Sequence, residues 1–305
     1  MALFIRILFG IFVFFFLVLM VMGYSLSKRI LAPKRQGIAE GLQLEVQKGS
    51  ISERTFETIP KKEVYITSPF GYRLHGFFVP KLDSTKVMIL NHGITLSFAS
   101  CLKYVDFYRS LGFHVLLHDF RGHGLSGGGH ITYGQKEKED MRTWVGWLFQ
   151  EIPGLKTVGV HGESMGSAVA IEHGYIDPRV DFIISDCAYS DLTEILHYRM
   201  AWDLGMSIFP VIYFVEFWLM VREGLYLSHV RPKQRVEEME IPIFFIHGAA
   251  DKYTPPRMSE ELFQRKKGAR KLWLSPMARH SGSFLQDRET YEKKIREFLL
   301  EIGVL

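Results

Sequence analysis

A serine held between two glycines, in the run Gly162-Glu163-Ser164-Met165-Gly166, is the pattern in this chain with the most chemistry in it. β-Branched Val158 and Val160 precede it, and Ala168, Val169, Ala170 and Ile171 follow at helical spacing, so the segment reads as strand, sharp turn, helix. The turn pinches the backbone, and a side chain at either flank would clash, which is why both flanks are glycine. The strain holds the Ser164 hydroxyl above a sheet end, and the helix start behind it aims free N–H groups at any oxygen that becomes negative. Taken alone, the five residues fit a Gly-rich surface turn equally well. A hydroxyl is a weak nucleophile until a base takes its proton, and that base needs an anion behind it to fix its tautomer. Downstream, at two successive strand ends, the chain offers Asp251 in His247-Gly248-Ala249-Ala250-Asp251 and His280 in Ala278-Arg279-His280-Ser281. Asp186, at the end of the preceding strand, competes with Asp251 for the role of the anion.

These residues need a frame. Residues 63–67 and 73–79 flank Pro69-Phe70-Gly71-Tyr72 as a hairpin, and further strands are expected over 86–90, 113–118, 157–160, 180–185, 241–246 and 270–274. Helices are expected over 38–46, 99–110, 136–149 and 288–300. The alternation gives an α/β fold with a mostly parallel sheet and helices on both faces, in which ligands sit at the carboxyl ends of strands. The loops Asn91-His92-Gly93-Ile94, Asp119 to Ser126, and those carrying Ser164, Asp251 and His280 all lie at such ends. Between 190 and 239 the alternation breaks. Asp191, with Glu194 three residues on, starts a helix over 192–204, and Pro210 opens an apolar segment over 211–221 that is too short to span a bilayer. It reads either as a buried packing helix or as a lid whose aromatics, Phe209, Tyr213, Phe214, Phe217 and Trp218, line a pocket or rest on a membrane.

Residues 7–27 carry no charge and are dense in Phe, Leu, Ile, Val and Met; at about 1.5 Å per residue they reach about 31 Å, the depth of a bilayer core. This predicts a retained membrane helix rather than a cleaved signal, whose apolar region is usually shorter. Lys28, Arg29, Lys34 and Arg35 after the span outnumber Arg6 and the amino terminus before it, which places the large domain on the cytoplasmic side. The formal charge of +4 comes from this region, since residues 1–35 hold no acid; nothing suggests a nucleic-acid partner. The organisation expected is an anchor with a basic flank over 1–35, a connector over 36–62 and one domain over 63–305 with an insertion over about 190–239. The span contributes nothing to the sheet, so a chain starting near Gln36 is expected to be soluble and to keep its fold. Cys101 and Cys187 read as buried thiols, not a disulfide or zinc framework. His92, His123, His161 and His247, beside glycines at strand ends, read as hydrogen-bonded structural histidines, and Asp119 and Arg121 as pins of their own loop. No cofactor or metal is called for.

Taken together, Asn-His-Gly-Ile (91–94), Asp-Phe-Arg-Gly-His-Gly-Leu-Ser (119–126), Gly-Glu-Ser-Met-Gly (162–166), Ile-Pro-Ile-Phe-Phe-Ile-His-Gly-Ala-Ala-Asp (241–251) and Ala-Arg-His-Ser (278–281) resemble the α/β-hydrolase superfamily. The order Ser, Asp, His is that superfamily's order. Within it the chain is similar to membrane-anchored bacterial hydrolases related to serine aminopeptidases and to membrane-bound α/β-hydrolase-domain proteins. The resemblance implies Ser164 as nucleophile, His280 as general base and Asp251 as its orienting acid, with the backbone N–H groups of Ile94 and Met165 as the oxyanion hole. Ile94 stands where relatives carry a glycine or a polar residue, which keeps the amide but makes the wall more apolar.

The function expected is a serine hydrolase that cleaves a carboxylic ester of a lipophilic acid or alcohol through an acyl-enzyme, with a small acyl substrate or lipid and the membrane as partners. Two alternatives stand beside it: an aminopeptidase or amidase, and a non-catalytic binding protein on the same fold.

Overall fold

The computed structural model describes residues 1–205 and 209–305. Residues 206–208, which fall inside the expected lid, lie outside the described residues. Eight strands form one sheet in the order β1-β2-β4-β3-β5-β6-β7-β8. β1 (Lys62–Thr67) and β2 (Arg73–Val79) are the expected hairpin, antiparallel with Thr67 opposite Arg73, and β2 is also antiparallel to β4 (His114–Asp119). From β4 onward every pairing is parallel, through β3 (Lys86–Asn91), β5 (Thr157–Glu163), β6 (Phe182–Asp186), β7 (Ile243–Gly248) and β8 (Arg270–Ser275). β4, β6 and β7 are buried along their whole lengths, and β5 is buried in all but its first residue, as strands covered on both faces are. Parallel pairing puts the loops after β3, β5, β6, β7 and β8 on one edge. The chain reverses its strand order around β3, so that edge carries the crevice where such sheets bind ligands.

Helices cover both faces. α1 (Ala2–Leu31) precedes α2 (Ile38–Gln47), and α3 (Val105–Ser110) continues a 3₁₀ stretch (Phe98–Tyr104). Gly112, at φ 86°, stops the chain from continuing α3. α4 (Glu137–Glu151) and α5 (Met165–Ile176) follow, then α6 (Leu192–Leu204), α7 (Val211–Glu223), α8 (Pro232–Glu238), α9 (Arg257–Arg265) and α10 (Arg288–Glu301). One core joins α4, α5 and the insertion to the sheet, with Trp144, Val160, Val169 and Val215 at its centre. The other joins α3 and α10 to the opposite face, through Tyr108, Phe244, Tyr291, Ile295 and Phe298. α6 opens as expected, with the Asp191 side chain accepting from the Glu194 N–H at 3.1 Å.

α1 is long and apolar enough to cross a membrane, and nearly half of the exposed large apolar side chains among the described residues lie on it. It adds nothing to the sheet, yet it does not stand apart. Its second half packs along α7, where Gly23 is the point of closest approach. A Cβ there would lie 2.6 Å from the Phe214 Cβ and 2.7 Å from its carbonyl carbon, so only glycine lets the backbones meet. Around it the Trp218 Nε1–H donates to the Met20 carbonyl at 3.0 Å, Tyr24 meets the Trp218 ring edge-on, and Phe16 meets Phe214. α1 is thus docked on the domain, and removing residues 1–35 would uncover one flank of α7.

Candidate active site

β5 delivers the serine. Ser164 follows its last residue at φ 55°, ψ −119°, a conformation costly for a residue with a side chain, and α5 starts at the next residue. A Cβ on Gly162 would lie 2.3 Å from the Gly166 carbonyl oxygen, and one on Gly166 would lie 2.4 Å from that of Asn91. Both glycines are required by close approach, as the sequence pattern implied. The turn is held from behind by the Ser164 N–H, which donates to the Asp186 carbonyl at 2.8 Å.

The loops after β7 and β8 bring Asp251 and His280 to the same point. An ionised carboxylate only accepts, so His280 carries its proton on Nδ1 and donates it to Asp251 Oδ2 at 2.7 Å. Nε2 is then free to accept from the Ser164 hydroxyl, at 2.9 Å. Asp251 is buried and fully engaged: Oδ1 accepts from the N–H groups of Tyr253 (2.7 Å) and Thr254 (3.0 Å), and Oδ2 also accepts from His247 Nε2 at 3.2 Å. Burial pushes its pKa up, but hydrogen bonds from His247 and His280 outweigh that and hold the carboxyl well below the usual range. The Tyr253 ring lies against the imidazole of His280, centroids 4.7 Å apart.

Asp186 is placed elsewhere. Its Oδ2 accepts from the Tyr291 hydroxyl at 2.9 Å, and Oδ1 has no partner among the described residues. Burial and the nearby Glu163 charge raise its pKa to about 7, the opposite of what an orienting anion needs.

Met165 is the first residue of α5, so no carbonyl within that helix lies four residues behind its amide. Met165, Ser164 and Ile94, from the loop after β3, together line a cavity of about 300 Å³. Its roof is built by α6, through Ile195, Leu196 and Met200, and by the end of α1 with the residues after it, through Leu26, Ile30 and Pro33. Tyr133, Tyr189 and Tyr253 add to the walls, and Arg29, Arg199 and Asp203 are the cavity's charged residues. Neither Phe209 nor Tyr213, Phe214, Phe217 or Trp218 lines it. α7 turns Ile212, Val215 and Leu219 to the core and Phe214 and Trp218 to α1, and leaves Tyr213 and Phe217 exposed; the lid over Ser164 is α6. A hydroxyl, an imidazole and a buried carboxylate in one hydrogen-bonded line beside a helix N-terminus can carry out nucleophilic acyl transfer.

Sequence reasoning missed the buried groups that support the turn. Glu163 accepts from Lys103 Nζ at 2.7 Å and from the Tyr104 hydroxyl at 2.6 Å, all three buried directly behind Ser164. Arg121 pins the end of α7 as well as its own loop, donating to Glu223 at 2.8 Å and to the Gly128 carbonyl at 3.0 Å. Asp119 holds its loop, accepting from the N–H groups of Phe98 (3.0 Å) and Leu125 (3.2 Å) and pairing with His75. The four glycine-flanking histidines are structural: His92 accepts from the Phe120 N–H, His123 faces the Arg121 carbonyl, His161 lies between the Tyr108 and Tyr291 hydroxyls, and His247 bridges Ser259 and Asp251. The Cys187 thiol is buried, and burial keeps it protonated.

A sequence profile of the family described as "Serine aminopeptidase, S33" matches residues 83–202. The chain is 32% identical over 279 residues to an uncharacterized protein of Bacillus subtilis, YqkD, covering 91% of this chain and 92% of that one. It is 22% identical over 254 residues to an uncharacterized membrane protein of Saccharomyces cerevisiae, YNL320W, covering 81% of this chain and 82% of that one. Among solved structures it is similar to the Pyrococcus furiosus esterase Pf2001, with a TM-score of 0.67 and 25% identity over 81% of this chain and 95% of the esterase. Ferulic-acid-bound Est1E from Butyrivibrio proteoclasticus, at 19% identity and a TM-score of 0.62, shares the fold over 78% of this chain and 98% of that one. With its eight-stranded sheet, its serine turn and these relatives, the chain belongs to the α/β-hydrolase superfamily.

Proposed function

We propose that this protein is a membrane-anchored serine hydrolase that cleaves a carboxylic ester with a lipophilic acyl group. The observation that carries the reading is the unbroken line from Ser164 Oγ through His280 to Asp251, opening into a largely apolar cavity. His280 Nε2 takes the Ser164 proton as Oγ bonds to the ester carbonyl carbon. The carbonyl oxygen becomes an oxyanion facing the Met165 and Ile94 amides, and Asp251 stabilises the imidazolium. The same proton passes from His280 to the departing alkoxide, which leaves an acyl group on Ser164. Water then repeats the sequence, giving its proton to His280 and releasing the acid and free serine. At about 300 Å³ the cavity is at the small end of ligand sites, which suits a single acyl chain.

Ester rather than peptide chemistry is favoured by the cavity's charges. A peptidase that reads a free amino terminus needs carboxylates to hold it; here Asp203 is the lining acid and is paired with Arg199 at 2.5 Å, while Arg29 adds a further positive charge. Retention of α1 is supported by its docking on α7, and the basic residues 28–35 favour the cytoplasmic side for the domain. A hydrolysis screen over p-nitrophenyl esters of rising chain length and aminoacyl-anilides tests the substrate class. Esters should be turned over with a preference that rises with chain length and then levels. Turnover of the anilides alone would replace this reading by the peptidase one.

A further inference from the structure

Resting on the ester-hydrolase reading, we infer that the end of the anchor helix is itself a wall of the acyl pocket, so that this protein selects an amphiphilic ester resident in the bilayer that α1 enters. Leu26, Ile30 and Pro33 face the same cavity as Ser164 and Met165. Leu26 belongs to the last turn of the apolar span, and Ile30 and Pro33 follow it, within about 11 Å along the chain direction at 1.5 Å per residue. The cavity wall thus begins where the hydrocarbon layer ends, in the headgroup zone where a lipid ester bond lies.

The geometry of this wall is fixed rather than incidental. The Tyr133 hydroxyl donates to the Ile30 carbonyl at 2.7 Å, and the Ile131 N–H to the Leu31 carbonyl at 3.0 Å. Beyond the helix, Arg35 donates to the Gly129 carbonyl at 2.6 Å. The Gln36 N–H donates at 2.8 Å to the carbonyl of Thr95, the residue next to Ile94. Thr95 sits at φ 65°, so this bond holds a strained turn beside the Ile94 amide. The segment that leaves the membrane therefore touches both the pocket wall and the loop that faces the reacting carbonyl. On its other side α1 is set by Gly23 against Phe214, and α7 leaves Tyr213 and Phe217 exposed beside the span.

The test uses the full-length protein in phosphatidylcholine vesicles, with p-nitrophenyl acetate, p-nitrophenyl decanoate and a fluorophosphonate. Ile30→Trp fills the cavity from its α1 side. Each methylene it excludes is worth up to about fourfold in kcat/KM, so the decanoate-to-acetate ratio should fall more than about tenfold while fluorophosphonate labelling of Ser164 persists. Leu26→Ala enlarges the same wall and should move the preferred chain longer. A long-chain diacylglycerol in the protein's own vesicles should be hydrolysed, and turnover should be lost when it is placed in separate vesicles. An unchanged ratio in both variants, with labelling intact, would overturn the role of α1, and equal turnover from separate vesicles would overturn selection from the bilayer. Should Ile30→Trp lose labelling as well, the chain-length profile of Leu26→Ala decides. Absence of labelling in the unaltered protein would instead sink the serine-hydrolase reading itself, so the two failures are distinguishable.

Discussion

The strand-end loops and the roof above them are built on different principles. The loops are tied by specific hydrogen bonds and close backbone approaches: Asp251 alone accepts four hydrogen bonds, and Ser164 is locked between a strand and a helix by glycines that nothing else can replace. The roof, made of α6 and the end of α1, with α7 packed against α1 behind it, is held by apolar side chains and a few hydrogen bonds to carbonyls, from segments far apart in the sequence. The contrast teaches where chemistry and selectivity reside. On the proposed function, the loops fix a reaction that is the same for any acyl group, whereas the roof fixes which acyl group reaches it.

The largest effects should come from the loops. Ser164→Ala or His280→Ala should lower kcat by roughly 10⁴ or more, because only oxyanion stabilisation and binding remain. Asp251→Asn should cost on the order of 10⁴ by favouring the wrong imidazole tautomer. Asp186→Asn should cost far less, since Asp186 hydrogen-bonds to Tyr291 and not to His280. Steady-state rates on one ester, with thermal melts to confirm folding, separate these; near-normal activity in Asp251→Asn would show that the anion lies elsewhere.

A substitution in the roof should act differently. Gly23→Leu drives a side chain into Phe214 and should destabilise by about 1–3 kcal/mol, with long-chain esters losing more than acetate. Equal losses on both substrates would mean that the roof and the loops are one mechanical unit. By contrast Phe217→Ala, on the exposed face of α7, should leave the chain-length profile unchanged when measured with detergent-dispersed esters.

The smallest effect is one of pH. Asp186 and Asp140 have folded pKa values raised to about 7, chiefly by burial, against about 3.9 in an unfolded chain. A raised value means that the folded state holds the proton more tightly. Their contribution is therefore complete below about pH 3.9 and is lost as pH rises toward about 7. Asp251 has the opposite sign, contributing above the unfolded value and losing that contribution in acid. Thermal melts between pH 5 and 8 should show a shallower decline in Asp186→Asn than in the unaltered protein. Identical slopes would mean that Asp186 is ionised throughout.

How much was legible follows the same division. The sheet, the serine turn and the loops that hold Asp251 and His280 were readable because each imposes a local demand: alternating apolar runs, glycine where backbones touch, an acid or an imidazole just past a strand. By strand position alone Asp251 and Asp186 could not be separated, since both end apolar strands; the family resemblance favoured Asp251, and in the fold Asp251 meets His280 while Asp186 meets the Tyr291 hydroxyl brought in by α10. The aromatics of 209–218 fitted a packing helix and a lid equally well, because an apolar segment shows how much surface it must bury but not against what. Phe214 and Trp218 pack on α1, and the Trp218 bond to Met20 crosses 198 positions of sequence, which no periodicity can signal. Lys103 behind Glu163 was missed for the same reason. A buried ion pair between residues on separate elements leaves no motif.

The central claim is that Ser164 is the nucleophile of an acyl-transfer reaction, and covalent labelling tests it most directly. The full-length protein is treated with a fluorophosphonate, digested and mapped by mass spectrometry. The account predicts one stoichiometric adduct on the peptide containing Ser164, absent from Ser164→Ala and strongly slowed in His280→Ala. No adduct on a folded protein, or an adduct that persists in Ser164→Ala, would contradict it.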